Sequence, residues 1–229
     1  MAKKLVIGES SVTASQLTDF FRQISEGSIT GEMVQAFNER RNPFEKPTMP
    51  SKVLQDWKQF YKKYFGIELP NGIKIPTKKD GFNRLLVIAK GLTNNSVYAA
   101  CEKHFPCFRY NNDLDTAVPT NERDPKNGSY AIWVRDEIEA DEVHKDKSVN
   151  MIKEEKLKTQ TLLERMLHEL VYFLESKKHL DIQNWTLCSG SRDSDGRVPG
   201  AGWDDGQFYV RWDSVDFRVG SLRSREVVS

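Results

Sequence analysis

Between residues 208 and 213, apolar and polar side chains alternate along the chain. The apolar members of this run are Phe208, Val210 and Trp212, and the members between them are Tyr209, Arg211 and Asp213. A period of two is typical of a β-strand that has one face in a core and the other turned outward. We therefore expect a half-buried strand here, with Tyr209, Arg211 and Asp213 on its outer face.

The rest of the C-terminal region also has the character of short strands and turns. Trp185–Cys188 is strand-like, and Leu222–Val228 is expected to form a closing strand. The segment from residue 185 onward holds six of the 14 glycines, as expected where loops turn tightly. No lysine follows Lys178, and all six basic residues beyond it are arginines.

The N-terminal third of the chain shows helical patterns instead. Residues 14–25 have apolar side chains at helical spacing behind a capping box at Thr13. A second helix is expected to begin at Thr30 and to stop before Pro43, with Met33 and Phe37 turned inward. Residues 42–50 contain three prolines and are interpreted as a linker. A third, amphipathic helix is expected to be capped by Ser51 and ended by Gly66.

The middle of the chain mixes both kinds of element. Short apolar runs predict strands at 85–89 and 130–134, and an asparagine cap predicts a helix over 95–104. A second capping box at Thr161 begins the most strongly patterned helix, which is expected to end near Lys177 or Lys178. The fold class predicted from these elements is α+β.

Size and composition exclude several classes of protein. The chain has 229 residues and a formal net charge of +1, and no stretch approaches about 18 consecutive apolar residues. No membrane span or secretion signal is visible, so no membrane partner is expected. The three cysteines fit a reducing compartment better than a disulfide framework, and we expect a cytoplasmic location.

Patterns for catalysis or metal binding are missing. The acidic stretch at 136–142 with His144 meets no ligand spacing and is interpreted as a solvated connection. The run Asp193-Ser-Asp-Gly196 lacks the glycine and glutamate positions of a calcium loop. The histidines are interpreted as core-edge or surface residues and the cysteines as buried free thiols, and no nucleophile elbow or phosphate loop occurs. We therefore predict a protein that is not an enzyme and has no cofactor or metal.

A DNA-binding function stays open as an alternative. The helical hairpin at 14–41 and the basic helix at 51–65 could contact phosphates, since residues 40–90 hold 12 basic and four acidic side chains. Glu32 and Glu39 on the candidate reading helix would oppose phosphate. Nucleic acid is thus a possible partner only through residues 14–65.

The C-terminal surface offers a second binding hypothesis. Its outward positions mix Tyr, Phe and Arg with Asp, Ser and Gly, which is the composition of adaptable binding surfaces. Lysine, which is depleted from interfaces, is missing there altogether. The expected partner is an unidentified protein or other macromolecule.

Several motifs of this region resemble the variable region of proteins that are diversified by diversity-generating retroelements. They are Cys188-Ser-Gly-Ser-Arg192, Ser194-Asp-Gly-Arg-Val-Pro199, Trp203, Phe208-x-Val-x-Trp212 and Leu222-Arg-Ser-Arg-Glu-Val-Val-Ser229. The resemblance implies a C-type lectin-like fold, a twisted antiparallel sheet with packed helices. It also implies that an error-prone reverse transcriptase substitutes adenines of a template repeat, which would remove adenine-rich lysine codons. An enzymatic alternative within this architecture is a relative of the formylglycine-generating oxidases. The sequence shows no counterpart of the redox cysteines or the copper site of those enzymes.

The chain is expected to divide into two parts. The helical patterns predict an N-terminal region with a proline-rich linker at 1–80, and the resemblance implies a C-type lectin-like domain, assigned to 81–229, with a variable ligand-binding region at 189–225. Whether residues 81–128 belong to that domain stays open. The implied framework is Trp185, Gly190, Arg192, Pro199, Trp203, Val210, Trp212, Leu222 and Arg225. The implied ligand-binding set is Asp193, Gly200, Gly202, Asp204, Asp205, Tyr209, Arg211, Asp213, Ser214, Asp216, Phe217, Val219 and Gly220.

Overall fold

A computed structural model of the chain describes residues 12–40, 43 and 50–229, and it divides into two compact units, Met1–Glu45 and Lys46–Ser229. The linker predicted at 42–50 lies outside the described residues except for Pro43 and Pro50. The division falls before the third helix.

The first unit is a pair of helices, α1 (Ala14–Ser25) and α2 (Gly31–Asn38). The predicted capping box is confirmed: the Thr13 hydroxyl accepts from the Gln16 N–H at 3.2 Å, and the Gln16 side chain accepts from the Thr13 N–H at 2.9 Å. Gly27 ends α1 with a left-handed φ of 75°. The prediction that Phe37 turns inward is wrong, because its side chain is 69% exposed. The neighbouring Ala36 is buried instead.

The second unit begins with α3 (Ser51–Phe65), which ends at Gly66 in the left-handed conformation as predicted. The residue at its N-cap is Pro50 instead of Ser51, and no side chain caps the helix there. Tyr61 of α3 is fully buried, and its hydroxyl donates to the carbonyl of Val87 and accepts from the N–H of Ala89. This helix is therefore part of the core of the second unit.

In all, the described residues contain seven α-helices and nine strands, so the structure is mixed α+β. The elements that follow α3 complete this count. In chain order they are β1 (Arg84–Ile88), α4 (Asn94–Glu102), β2 (Cys107–Arg109), α5 (Leu114–Ala117), β3 (Thr120–Asn121), β4 (Tyr130–Val134), α6 (Val149–Glu154), α7 (Leu162–Ser176), β5 (Trp185–Leu187), β6 (Ser191–Arg192), β7 (Val198–Asp204), β8 (Gln207–Asp213) and β9 (Leu222–Arg223). Within these residues, no helix has the combination of length and apolar character that a bilayer crossing requires.

The main sheet has five strands in the order β2-β8-β7-β5-β9. The central strands β8, β7 and β5 pair antiparallel, but β2 pairs parallel with β8 and β9 pairs parallel with β5. The prediction of an antiparallel sheet is thus right only for its centre. Both edge strands arrive through long connections, and such connections permit parallel pairing where a hairpin does not.

Helix α7 packs against α4, β1 and β7 and carries the second predicted capping box, between Thr161 and Glu164. It buries charged side chains as well as apolar ones. Arg165 forms ion pairs with Glu169 at 2.9 Å and with Asp181 at 2.8 Å, and all three side chains are fully buried. Arg225 is the second arginine that forms an ion pair with Asp181 in this network.

The C-terminal segment ties the unit together. Only its first two residues form the strand β9, so the predicted closing strand is shorter than expected. Glu226 and Val228 instead form isolated bridges with Thr159 and Trp133. The guanidinium of Arg225 donates to Asp181 at 2.6 Å and to the carbonyl oxygen of Ile138 at 2.7 Å.

Candidate functional site

The two faces of β8 separate as the alternation predicts. Phe208 and Val210 are buried in the main core, and Trp212 packs against that core. Tyr209, Arg211 and Asp213 lie half-buried on the opposite face. The outer face of the sheet is therefore the candidate site.

Cross-strand pairs set the shape of this outer face. Gly202 of β7 pairs with Tyr209, and Gly200 pairs with Arg211. Because glycine has no side chain, Trp185 of β5 can reach across β7. The Trp185 and Tyr209 ring centroids are 6.1 Å apart, and the guanidinium of Arg211 lies over the Trp185 ring. Cation–π contact and ring packing thus join three strands into one layer.

Two aromatic residues outside the C-terminal region extend this layer. The parallel pairing of β2 with β8 sets Phe108 opposite Tyr209, with 5.2 Å between their ring centroids, and Tyr110 lies 5.0 Å from Phe108. Phe108 is 39% exposed and Tyr110 is 69% exposed. Sequence reasoning missed both, although the spacing Phe108-x-Tyr110 is the same period of two. We call Phe108, Tyr110, Trp185, Tyr209 and Arg211 the outer-face patch.

The charge within this face is balanced locally. Arg211 and Asp213 form an ion pair at 3.2 Å between Nε and Oδ2. Burial raises the pKa of Asp213, and the neighbouring Arg211 partly offsets that shift. The exposed carboxylates next to this face are those of Asp204 and Asp205, which lie at the hairpin turn between β7 and β8.

That turn constrains its own sequence. Asp205 and Gly206 both have positive φ, 44° and 75°, in a two-residue hairpin loop. Such a primed turn requires φ above zero at both central positions, which Asn, Asp and Gly tolerate best. Position 205 is therefore exposed but limited in the residues it accepts.

Three residues of the predicted ligand-binding set are buried, namely Asp193, Gly200 and Gly202. The Asp193 carboxylate accepts from the N–H groups of Asp195 and Arg197 and from the Arg197 side chain, all within 3.0 Å, and so closes a turn. A Cβ at Gly202 would lie 3.1 Å from the Trp185 ring. The environments of Asp193 and Gly202 therefore favour a structural role for these two residues.

The remaining predicted residues lie in the loop from 214 to 220. Four of them, Ser214, Asp216, Phe217 and Val219, are exposed, and Gly220 is half-buried. Asn150 of helix α6 helps to hold the loop, because its side chain donates to the Asp216 carboxylate at 2.5 Å. The backbone N–H of Asn150 also donates to the carbonyl oxygen of Val215 at 3.3 Å.

The implied framework residues are held by specific contacts. A Cβ at Gly190 would lie 2.9 Å from the carbonyl oxygen of Thr159. Trp203 stacks on His179 with 3.3 Å between ring centroids, and Leu222 and Arg225 are buried. These contacts explain why such residue types occupy these positions.

The acidic stretch is not wholly solvated, which corrects its interpretation. Asp141 and His144 are buried, and their potential ligand atoms lie within 4.8 Å of one another and of Glu226. Arg135 forms ion pairs with both Asp141 and Glu226, and the His144 Nδ1 lies 3.1 Å from the Ser224 carbonyl oxygen. Because these groups already have protein partners, the cluster joins the 135–144 segment to the C-terminal segment.

The cysteines and histidines have differing environments. Cys101 and Cys188 are buried as predicted, whereas Cys107 is half-buried, and burial raises the pKa of Cys107 to about 12. Its thiol stays protonated near neutral pH and is a weak nucleophile. His168 is fully buried, which corrects its placement at the core edge or surface.

The comparisons with known proteins add no relative. No protein-family model, curated protein or solved structure matches the chain at a significant level.

Proposed function

We propose that residues 81–229 form a C-type lectin-like domain of a non-enzymatic binding protein, whose C-terminal surface is diversified by a retroelement. The observation that carries this proposal is the division of side chains in β8. Phe208 and Val210 lie in the core, while Tyr209 and Arg211 lie in the outer-face patch. A protein whose contact residues vary needs this separation, because changes on one face leave the core intact.

The chemistry of the patch favours a protein ligand. Tyr, Trp and Arg are enriched among the residues that dominate protein–protein binding energy. Trp185, Tyr209 and Arg211 lie here on strands of a sheet, which supply a rigid base for contact residues. The loop from 214 to 220 adds Phe217 and Val219 as exposed apolar side chains.

The residue usage of the C-terminal region supports the genetic part of the proposal. Beyond Lys178 the chain has no lysine and a single asparagine, Asn184. Template-directed substitution at adenines would deplete both residue types, since their codons are rich in adenine.

Comparison of the 3′ end of this gene among sibling strains tests the genetic part. We expect substitutions concentrated in codons 193–220, and a nearby near-copy of that DNA with adenines at the variable positions. Substitutions spread evenly through the gene, with no near-copy, would refute the retroelement origin.

A paired library tests the physical part. One library of the full chain randomises Tyr209, Arg211, Ser214 and Phe217, and a matched library randomises four buried residues, Phe208, Val210, Leu222 and Val227. We expect most members of the first library to fold and some to bind a panel of immobilised unrelated proteins, whereas most members of the second fail to fold. Equal folding yields in the two libraries would refute the division into framework and contact residues.

A further inference from the structure

Helix α1 carries an apolar stripe that the proposed function does not use. The stripe consists of Leu17, Phe20, Phe21 and Ile24, at the spacing that brings side chains onto one face of a helix. No residue of α1 is buried, and Phe21 is 65% exposed. Such a face gains stability only when another apolar surface covers it.

The first unit, Met1–Glu45, is close to the lower size limit for an independent core. Below about 40 residues, stable folding usually needs a disulfide, a metal or association with another chain. Among the described residues of this unit, α2 contributes the buried side chain of Ala36, and Phe37 is exposed. An isolated helix of 12 residues is also marginal in water. The described residues of the unit therefore leave the stripe largely uncovered.

The charges of α1 indicate what kind of partner fits. At 100° per residue, the positions that flank the stripe are Gln16, Thr18, Gln23 and Ser25, and none of them carries a charge. Asp19, Arg22 and Glu26 lie on the opposite face, where Arg22 bonds both carboxylates at 2.6 Å. A membrane surface or a nucleic acid would favour several cations on this helix. The neutral edges instead fit an uncharged protein surface.

The order of side chains in the stripe points to a second copy of the same helix. From either end the stripe has an aliphatic residue, two aromatic residues and an aliphatic residue. In an antiparallel pair related by a twofold axis, Leu17 would contact Ile24 of the second copy, and Phe20 would contact Phe21 of the second copy. We propose that the protein associates through its first unit, by antiparallel packing of α1 against α1 of a second copy.

The mass of the full chain in solution tests this association. We expect sedimentation equilibrium over roughly 1–100 µM to show a monomer–dimer equilibrium, because an interface of this size is at the small end of specific interfaces. Phe21→Glu should shift the chain to monomer over that range. Val143→Glu provides the matched control, since Val143 is also 65% exposed but lies in the second unit. A wild-type chain that is monomeric throughout, or a dimer that Phe21→Glu leaves intact, would overturn the proposal.

Cross-linking tests the direction of packing. A Leu17→Cys chain mixed with an Ile24→Cys chain should form a mixed disulfide dimer on mild oxidation, faster than either variant forms a dimer with itself. Faster self-dimers of each variant would indicate parallel packing and refute the antiparallel arrangement. These results do not depend on the ligand of the sheet face, so the two proposals can fail separately.

Discussion

The guanidinium carbon of Arg211 lies 4.0 Å from the centroid of the Trp185 ring, although a whole strand separates the two residues in the sheet. The intervening strand β7 carries Gly200 and Gly202 at this point, so no side chain stands between them. The continuity of the outer-face patch thus depends on two glycines that would contribute no contact area of their own.

Replacement of Gly202 by alanine is expected to destabilise the protein by about 1–3 kcal/mol, the usual cost of overpacking. Its Cβ would lie 3.1 Å from the Trp185 ring and 3.2 Å from the Asn184 carbonyl oxygen, neither of which moves freely. Gly200→Ala is the control, because its closest neighbour is Asp213 Oδ2 at 2.8 Å, which can rotate away at the cost of the partly exposed ion pair with Arg211, about 1 kcal/mol or less. Urea unfolding should rank Gly202→Ala as clearly the less stable variant, and equal losses would contradict this explanation.

The turn at Asp205 gives a second prediction. Asp205→Val should lower the free energy of unfolding by about 1–2 kcal/mol, because a β-branched residue is strained at a positive φ. Asp205→Gly should be close to neutral. Asp204→Val serves as the control, since the neighbouring exposed position belongs to strand β7. Thermal unfolding of the three variants measures the difference, and a neutral Asp205→Val would show that the turn adapts.

Arg225 should be among the residues whose loss is most damaging. Arg225→Met leaves the buried Asp181 with one arginine partner, and two backbone carbonyl groups at 137 and 138 lose a donor. Breaking a buried charge network in this way costs roughly 3–5 kcal/mol. The exposed Arg218→Met should cost little. Chemical denaturation of both variants provides the comparison, and similar midpoints would mean that the network contributes little stability.

The buried His168 predicts a specific dependence of stability on pH. Burial and the nearby Arg225 and Arg165 lower the pKa of His168 well below 6.5, whereas the unfolded chain titrates near 6.5. The unfolded state therefore binds the proton first, so the stability associated with this group decreases as the pH falls below 6.5. The expected slope approaches about 1.4 kcal/mol per pH unit.

Substitution of His168 by glutamine isolates this effect. His168→Gln should flatten the decrease in unfolding free energy between pH 7.5 and about 5.5, whatever its effect on stability at neutral pH. The wild-type chain, measured over the same range of pH, is the reference. Parallel curves for wild type and His168→Gln would refute the assignment.

The elements that the sequence predicts correctly are those with local signals. The capping boxes at Thr13 and Thr161 and the period of two in β8 each depend on residues within one short segment. The wrong cap at Ser51 and the wrong direction of Phe37 both lie where a helix end or face depends on its surroundings.

Long-range contacts account for what the sequence did not predict. Phe108 joins the candidate site because β2 pairs with a strand about one hundred residues later, and nothing near Phe108 encodes that pairing. The sequence around Asp141 and His144 indicates a solvated connection because their partners, Glu226 and Ser224, lie some 80 residues away. Charged residues in particular are assigned to the surface unless their counter-ions can be identified.

The last residues of the chain lie between distant parts of the second unit. Val227 donates to the carbonyl oxygen of Lys158, Val228 bridges to Trp133, and Arg225 reaches the core network. If the preceding codons are rewritten during diversification, a frameshift or premature stop there would delete these contacts together. Such products would lack the hydrogen bonds that join the C-terminal segment to Trp133, Lys158 and Asp181, so we expect only variants translated in frame through that segment to fold.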